Sequence, residues 1–406
     1  MGPIYRGRSL RQGDPLSPYL FILCVEGMSA LIKQAERNNI LHGVKVCKRA
    51  PTISHLLFTD DSYLFIKANE KETQALKDIL DTYASASGQL INMQKSEIYF
   101  SRNVPATKKN TLSNMLRVLE CIGTGKYLGL PSMIGRSKKL IFNYIKDHIW
   151  NRISGWSSKM LSQAGKKVLI KSVAQAIPSD CMSVFLLPHS ITEDIEKMLN
   201  SFWWGMKNEG RGGFRWLSWE RIIMRKEWGE MGFCYIHGFN LAMLGKKGWN
   251  FLTNPNVMVS RIFKAKYFSN GNCLGASLRH NPSYVWHSIW SFRILLKIGY
   301  QWRIGNGSSI PIWHSPWLQN EANPIISTPT IQPAATATIS HLIHPQTRSW
   351  NEQLIRNNFI LRDVDENFKI PLLHCEQNDA IIWRFDKKGV SSVKSAYSVC
   401  VDVLMC

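Results

Sequence analysis

Long apolar runs and paired cysteines are what this 406-residue sequence lacks. No stretch approaches the ~20 consecutive apolar residues that span a bilayer, and the N-terminal segment has no apolar core of a secretion signal. The nine cysteines lie far apart and never form a Cys-x-x-Cys pair. This spacing excludes a disulfide framework and a closed zinc site, and it favours reduced thiols in an intracellular protein.

Acidic residues are also scarce: 29 Asp and Glu stand against 50 Lys and Arg, so the net charge is +21. Such a surface attracts polyanions, with nucleic acid as the first partner to consider and an anionic membrane surface as the second. Hydrophobic residues make up 45% of the chain and charged residues 19%, which excludes a mostly disordered protein. At ~150 residues per domain, the length suggests two or three domains.

The first hundred residues carry the clearest secondary-structure patterns. Asp14 and Pro15 predict the N-cap and first position of a helix that continues to about Asn38. Asn69, with a glutamate three residues later, predicts the start of a second helix, which Gly88 ends. A further strand is predicted after this helix, so helices and strands alternate in this part of the chain.

The adjacent aspartates Asp60 and Asp61 are the sharpest feature. Short apolar runs on both sides predict a β-hairpin with this pair at its tip. Neighbouring side chains of a strand point to opposite faces, so adjacent carboxylates converge only where the chain turns. Closely held carboxylates bind Mg²⁺, and a pair of such ions stabilises phosphoryl transfer. A solvated turn is the alternative, because Asp is common in turns, and the dipeptide alone favours it.

Three further motifs stand around the hairpin. Gly13 permits close approach of a ligand at the start of a helix, where free amides suit phosphate. Lys95 precedes a strand, and its ammonium could protonate or neutralise a leaving pyrophosphate. In the segment GKYLGLP (Gly125–Pro131), two glycines around an aromatic–aliphatic pair predict a tight hairpin. Taken singly, these motifs are also typical of a capped helix, a surface lysine and an ordinary turn.

The order of these motifs is specific. The segments RQGDPLSPYLF, LLFTDDSYLF, SGQLINMQKSEIYF and KYLGLP resemble palm motifs B, C, D and E of the reverse transcriptases of non-LTR (LINE-type) retrotransposons, particularly those of plants. The thumb and downstream regions of that family are matched by GRSKK, GWSSKMLSQAGKKVLIKSVAQAIP, FWWG, LSWERI, FNLAMLGKKGW, NPSYVWHSIW, WRIGNGSSIPIWHSPWL and GVSSVKSAY. The resemblance covers nearly the whole chain. It implies an RNA-directed DNA polymerase that uses Mg²⁺, dNTPs, an RNA template and a DNA primer.

The resemblance also implies roles for single residues. Asp60 and Asp61 match the metal-binding pair of the catalytic hairpin, and Lys95 matches a candidate general acid. Gln12 and Gly13 match residues that shape the nucleotide and template pocket.

Two more sets match residues that hold the primer–template. The primer grip is matched by Tyr127, Leu128 and Gly129. The nucleic-acid backbone is expected to contact basic residues of the thumb-like helices, namely Arg136, Lys138, Lys139, Lys146, Arg152, Lys159, Lys166, Lys167 and Lys171.

The sequence departs from the family at both ends. The third metal-binding Asp, in motif A, lies upstream of RQGDP in the family, and this sequence begins ten residues before Arg11. We therefore expect motif A and the fingers to be absent, and the isolated chain to have little or no polymerase activity. A zinc-binding segment follows GVSSVKSAY in the family, but Cys400 and Cys406 are too few to ligate zinc tetrahedrally, so no zinc is predicted.

The predicted fold class is α+β. It comprises a partial polymerase palm built from a β-hairpin with helices, a helical thumb-like region and a Trp-rich, mostly helical domain. The predicted boundaries are 1–131 for the palm, 132–205 for the thumb-like region, 206–318 for the Trp-rich domain, 319–346 for a linker and 347–406 for the start of the truncated zinc-binding region. Most of the 15 Trp are expected in cores, with base-stacking platforms as the alternative.

Three functions are compatible with these patterns. The first is a polymerase fragment that is active only when another chain or a longer gene product completes it. The second is a non-catalytic nucleic-acid-binding remnant, and the third is a decayed coding sequence whose product folds poorly. From the family and the charge we expect an intracellular protein with a nuclear location.

Overall fold

The computed structural model describes residues 13–121, 126–132, 134–157, 159–205, 216–224, 231–278, 280–329, 337–372 and 377–404. The chain divides into two compact units, which are Met1–Met133 with Arg261–Lys266, and Ile134–Ser260 with Tyr267–Cys406. Helices are mixed with short strands, as expected for an α+β protein. None of the described helices is long and apolar enough to cross a membrane.

The first unit combines three helices with three small two-stranded sheets in its described part. Strands β1 and β2 pair antiparallel, β3 and β4 parallel, and β5 and β6 antiparallel. The elements are α1 (Ser17–Arg37), β1 (His55–Phe58), β2 (Asp61–Leu64), α2 (Glu70–Ser87), β3 (Glu97–Ile98), α3 (Ala106–Leu116), β4 (Leu119–Glu120), β5 (Lys126–Tyr127) and β6 (Leu130–Pro131).

The start of α1 differs from the prediction. The helix begins at Ser17, and Asp14 is not its N-cap. The carboxylate of Asp14 accepts a hydrogen bond from the amide of Leu16 at 2.9 Å, so it closes a turn that precedes the helix. Pro18 lies in the first helical turn, where no backbone donor is needed. The predicted end near Asn38 is confirmed.

Both predicted ends of α2 are confirmed. The side chain of Asn69 accepts a hydrogen bond from the amide of Glu72 at 2.8 Å, and Gly88 ends the helix at a φ of +69°. The buried carboxylate of Glu72 also accepts hydrogen bonds from the amides of His42 and Lys67, both at 3.0 Å. Burial opposes ionisation of Glu72, but these amides outweigh it and lower the pKa. The start of α2 is therefore tied to two preceding loops.

Helices α1 and α2 form the core of the first unit. Apolar side chains recur on one face of each helix and pack together; they are Met28, Ile32 and Ala35 of α1, Leu76, Leu80 and Tyr83 of α2, and Leu41. This packing involves the C-terminal half of α1, because Tyr19, Leu20 and Leu23 in its N-terminal half are exposed.

The second unit is mostly helical in its described part. Its one ladder of regular strands there pairs β7 antiparallel with β8, with Tyr300 opposite Trp383. The residues of α10 are divided between the two units: residues 261–266 are grouped with the first unit and the two ends of the helix with the second. The elements are α4 (Lys138–Ser157), α5 (Gln163–Leu169), a π-helix (Ile170–Ala174), α6 (Ser179–Met182), α7 (His189–Trp204), α8 (Trp219–Ile222), α9 (Ile236–Thr253), α10 (Met258–Tyr267), α11 (Tyr284–Ser291), α12 (Arg293–Gly299), β7 (Tyr300–Arg303), a 3-10 helix (Ile339–Leu342), α13 (Glu352–Asn358), α14 (Leu361–Phe368), β8 (Ala380–Trp383) and α15 (Val393–Leu404).

Aromatic rings pack onto glycines in the core around α9. Trp383 and Trp249 meet edge to face, with ring centroids 5.5 Å apart. A Cβ added at Gly299 would lie 2.1 Å from the Trp383 ring, and one added at Gly245 would lie 2.0 Å from the Phe292 ring. The absence of a side chain at both positions is thus what lets the rings approach the backbone.

Residues 319–346, where the sequence predicts a linker, contribute to the C-terminal core. Ile326, Ile339 and Leu342 are buried in one cluster with Trp317 and other apolar residues. The buried carboxylate of Asp363 accepts hydrogen bonds from the amides at positions 327 and 328, at 2.9 and 2.7 Å. In the described part of this segment, the low charge therefore accompanies burial against a core.

Half of the tryptophans that the structure describes are core residues. The seven buried ones are Trp203, Trp219, Trp249, Trp286, Trp313, Trp317 and Trp383. Trp150 and Trp216 are exposed, with 39% and 73% of their surface accessible, and the other described tryptophans are partly buried. Burial of large rings thus explains about half of the tryptophan content that the structure describes.

Candidate active site

The predicted β-hairpin is present, with both aspartates at its tip. Phe58 pairs with Asp61, so Thr59 and Asp60 form the two-residue turn and Asp61 begins β2. All three turn-side residues, from Thr59 to Asp61, are exposed. The carboxylates therefore lie where a ligand can reach them.

Thr59 shapes the turn beside the carboxylates. Its φ is +47°, in the left-handed region that β-branched residues rarely adopt. Its hydroxyl donates a hydrogen bond to a carboxylate oxygen of Asp60 at 3.0 Å. One of the oxygens of Asp60 is thus oriented by its neighbour.

A histidine anchors the base of the hairpin. The imidazole of His55 is hydrogen bonded to the hydroxyls of Ser29 and Ser54, both at 3.0 Å. Ser54 also donates to the carboxylate of Glu36 at 3.0 Å. Burial, followed by the charge of Lys33, lowers the pKa of His55. These contacts connect β1 to α1.

A second tight hairpin is formed by β5 and β6. Tyr127 pairs with Leu130, and the turn residues Leu128 and Gly129 have φ values of +49° and +75°. Two successive positive φ values are typical of the mirror-image turns that match the twist of paired strands. The tight hairpin predicted from the sequence is confirmed.

Rings connect the two hairpins. The centroids of Tyr63 and Tyr127 lie 4.8 Å apart, with the ring planes at 87°. Burial, and then the carboxylate of Asp61, raise the pKa of Tyr127, so this phenol stays protonated near the aspartate. The structure thus brings together the rings of Tyr63 and Tyr127. Sequence reasoning did not single out Tyr63, although its position two residues after Asp61 on the same strand was a usable signal.

The remaining predicted site residues are Gln12, Gly13 and Lys95. Gln12 lies outside the described residues. Gly13 is exposed at a φ of +91°, and a Cβ added there would meet no heavy atom within 4 Å. Lys95 is exposed in the turn before β3, where its amide donates to the carbonyl of Asn92 at 3.2 Å. The roles of all three stay predictions.

The donor set of the first hairpin suits a hard cation. Mg²⁺ is commonly bound by one or two carboxylates together with water and substrate phosphates, and Asp60 and Asp61 offer such oxygens. Across the part of the chain that the structure describes, no group of three or more His, Cys, Asp or Glu side chains comes together as a metal site. Within those residues, no third side chain of these types joins Asp60 and Asp61.

The nine basic residues of the predicted backbone-binding set fall into two classes. Several have partners within the second unit: Lys138 lies 4.7 Å from the ring centroid of Tyr284, Lys146 lies 3.5 Å from a carboxylate oxygen of Asp194, Lys166 donates to the carbonyl of Trp203 at 3.4 Å, and Lys171 lies 6.0 Å from the ring centroid of Phe233. Exposed side chains are found at Arg136, Lys139, Arg152 and Lys159, and also at Lys138 despite its ring contact, while Lys167 is partly buried. The exposed side chains are the ones that nucleic acid can reach directly.

Comparisons with known proteins indicate the family to which this chain belongs. Residues 2–132 match the family model of the reverse transcriptase (RNA-dependent DNA polymerase). A protein of Arabidopsis thaliana named as a ribonuclease H protein, At1g65750, is 24% identical over 277 residues, which cover 66% of this chain and 44% of that protein. The uncharacterized mitochondrial protein AtMg00310 of the same plant is 30% identical over 147 residues, 36% of this chain and 95% of that protein.

A third relative, the uncharacterized mitochondrial protein AtMg01250 of Arabidopsis thaliana, is 52% identical over 61 residues, 15% of this chain and 50% of that protein. The segment that matches the family model contains the aspartate-tipped hairpin. The chain belongs to the reverse transcriptase family and is of retrotransposon origin. It spans less than half the length of the ribonuclease H relative.

Proposed function

We propose that this chain is part of a LINE-type RNA-directed DNA polymerase, in which Asp60 and Asp61 bind Mg²⁺ at the end of a primer. In this proposal the first unit is a partial palm and helices α4 to α7 are the thumb-like region. One observation carries it: both carboxylates lie exposed at a hairpin tip inside the segment that matches the reverse transcriptase family. The ring contact of Tyr127, a proposed primer-grip residue, with Tyr63, two residues after Asp61, supports it.

The proposed site residues would have different roles in nucleotidyl transfer. Bound Mg²⁺ supplies positive charge to the reacting phosphoryl oxygens. Asp60 and Asp61 hold that charge at the hairpin tip, and the Thr59 hydroxyl orients Asp60. Lys95 carries an ammonium that suits neutralisation or protonation of the leaving pyrophosphate.

The remaining predicted residues would position the nucleic acid. The turn Leu128–Gly129 presents backbone groups to the primer end, and the exposed Leu128 packs against it. Gln12 and Gly13 would shape the nucleotide and template pocket, which Gly13 suits because its surroundings are open.

We expect the isolated chain to extend primers very slowly or not at all. The hairpin supplies two carboxylates, and no third joins them within the described residues. Nucleotidyl transfer requires reacting groups to be positioned within about 0.5 Å, and an incompletely held metal does not meet this requirement. A second polypeptide that adds a carboxylate would raise the rate.

Primer extension and metal binding test the proposal together. We would compare the wild type with Asp60→Asn, and with Asp81→Asn as a control, since Asp81 is an exposed aspartate of α2. Mn²⁺ binding in the presence of an RNA–DNA primer–template, followed by electron paramagnetic resonance, should weaken about 10- to 100-fold in Asp60→Asn and stay unchanged in the control.

Two outcomes would count against parts of the proposal. Mn²⁺ binding that is equal in the wild type and Asp60→Asn would remove the hairpin as the metal site. Robust extension by the isolated wild type, lost in Asp60→Asn only, would keep the site and refute the expected inactivity.

A second candidate function is a non-catalytic grip on nucleic acid. The exposed basic side chains of the α4 to α5 region favour it, because phosphate contacts need accessible charge rather than a complete metal site. The salt dependence of binding distinguishes a specific contribution of these residues from the general effect of net charge.

A further inference from the structure

We infer that Tyr63 is a positioning residue: its ring holds the Leu128–Gly129 turn in register with the Asp60–Asp61 tip. This inference rests on the proposed function, and it gives the ring contact between the two hairpins a task in that function. Tyr63 itself would touch neither metal nor primer.

The backbone alone does not align the two hairpins. Strands β1 and β2 form one two-stranded sheet and β5 and β6 form another, and no ladder joins these sheets in the described residues. The connection between them is made by side chains. Tyr63 and Tyr127 supply it through an edge-to-face contact at 4.8 Å, which is a favoured arrangement of aromatic rings.

Tyr63 and Tyr127 each lie close in the chain to one of the two proposed functional turns. Their contact therefore links the two turns directly. Tyr63 lies two residues after Asp61 in β2, so both side chains lie on the same face of the strand. Tyr127 immediately precedes Leu128, the first residue of the second turn. A shift of one ring against the other therefore moves the Leu128 turn relative to the aspartates.

Further aromatic side chains support Tyr63. Tyr99 stacks beside it with centroids 6.4 Å apart, and the Tyr99 hydroxyl donates to the carboxylate of Glu97 at 2.8 Å. Phe65 lies 5.7 Å from the Tyr63 ring on the same side of the hairpin. These contacts restrict the orientations that the Tyr63 ring can adopt.

The test compares Tyr63→Leu with Tyr63→Phe. Leucine keeps an apolar side chain but removes the ring, whereas phenylalanine keeps the ring and removes only the hydroxyl. Tyr19→Leu is the control for a tyrosine substitution in the first unit, because Tyr19 is exposed on α1.

The first readout needs no nucleic acid. Amide hydrogen exchange of residues 126–131 should accelerate about 3- to 10-fold in Tyr63→Leu, and match the wild type in Tyr63→Phe and Tyr19→Leu. Exchange of α2 should be unchanged in all variants, which shows that the first unit remains folded. Equal exchange of 126–131 in Tyr63→Leu and the wild type would overturn the inference.

The second readout locates the primer end. Fe²⁺ bound at the hairpin in place of Mg²⁺ generates hydroxyl radicals with ascorbate and peroxide, and these cleave the primer near the ion. We expect cleavage at one or two adjacent nucleotides in the wild type and in Tyr63→Phe. In Tyr63→Leu we expect a broader or displaced pattern, with primer–template affinity within about twofold of the wild type.

The outcomes separate this inference from the function on which it rests. Absence of Asp60-dependent cleavage in the wild type overturns the proposed function, and the inference with it. Cleavage that is present in the wild type and has the same position and width in Tyr63→Leu overturns the inference alone.

Discussion

The hydroxyl of Thr59 and the carboxylate of Asp60 show how single side chains shape the candidate site. The hydrogen bond between them is 3.0 Å long, and it forms at a residue with a φ of +47°. A non-glycine residue in this region costs about 1 to 3 kcal/mol and persists only where its surroundings impose it. Such strain often accompanies a functional turn, and here it accompanies the orientation of a proposed metal ligand.

Substitutions of Thr59 measure separately the backbone strain at this residue and the orientation of the Asp60 carboxylate by its hydroxyl. We expect Thr59→Gly to raise the free energy of unfolding by about 0.5 to 1 kcal/mol, because glycine accepts a positive φ. It should also weaken Mn²⁺ binding, because Asp60 loses its hydroxyl donor. Thermal unfolding and metal titration measure the two effects. Thr59→Ser retains the hydroxyl, and equal metal affinity in the glycine and serine variants would argue against an orienting role.

The buried carboxyl of Glu196 in α7 makes the stability of the protein depend on pH. Burial raises the pKa of this carboxyl from an ordinary 4.5 to about 7, although it accepts a hydrogen bond from the amide of Ile236 at 2.9 Å. The folded state thus binds this proton more tightly than the unfolded chain. The contribution to stability is complete below pH 4.5 and is lost as the pH rises through about 7.

We therefore expect Glu196→Gln to be as stable as the wild type near pH 4, below the ordinary pKa of the carboxyl. Near pH 8 it should be more stable by about 1 to 3 kcal/mol, because the amide never acquires the buried charge. Chemical denaturation at both pH values measures the difference, with the exposed Glu26→Gln as the control. A stability difference that does not change between the two pH values would mean that Glu196 ionises normally.

At the scale of elements, local signals predicted some features and missed others. Asn69 and Gly88 marked both ends of α2 because a cap and a left-handed glycine act within one turn. Asp14 failed as a cap because its carboxylate is used by the amide of Leu16 in a turn before the helix. Capping predictions hold where no nearer backbone donor competes for the same side chain.

Helix α9 offers an element-scale prediction on packing. We expect Gly245→Ala to lower the free energy of unfolding by about 1 to 3 kcal/mol, because the added methyl would lie 2.0 Å from the Phe292 ring. Gly155→Ala in α4 is the control, since a Cβ there meets no heavy atom outside its own helix within 4 Å. Alanine should stabilise that helix by about 0.5 to 1 kcal/mol.

Denaturant unfolding measures both glycine variants. Opposite signs of the two effects would confirm that close ring packing, rather than helix propensity, determines the residue at 245. Stabilisation by Gly245→Ala would mean that Phe292 can move away at little cost.

At the scale of the whole molecule, the net charge of +21 predicts strong, salt-dependent binding to polyanions. The net charge alone does not locate the surface that binds nucleic acid, because Lys and Arg residues occur throughout the chain. The structure narrows the predicted set, because Lys138, Lys146, Lys166 and Lys171 have internal partners. The exposed members of the set are the ones to test.

A triple variant with Arg136, Lys139 and Arg152 changed to Gln tests this surface. We expect affinity for a primer–template duplex to fall about 10- to 100-fold near 0.1 M salt, and the slope of log K against log salt to become shallower by about 2 to 3. The control changes the exposed Lys387, Lys388 and Lys394 to Gln, which removes the same charge. Equal losses in both triple variants would assign binding to net charge rather than to this surface.

The sequence by itself determined the family, the polyanion-binding charge, the ends of α2 and the two tight hairpins, because order, composition and turn chemistry act over a few residues. Only the tertiary structure decided which apolar segments are buried, so that residues predicted as a linker contain the core side chains Ile326 and Ile339. It also decided which lysines have internal partners, and it brought Tyr63 against Tyr127. These contacts join residues far apart in the chain, and their existence depends on how elements pack, which no local pattern specifies.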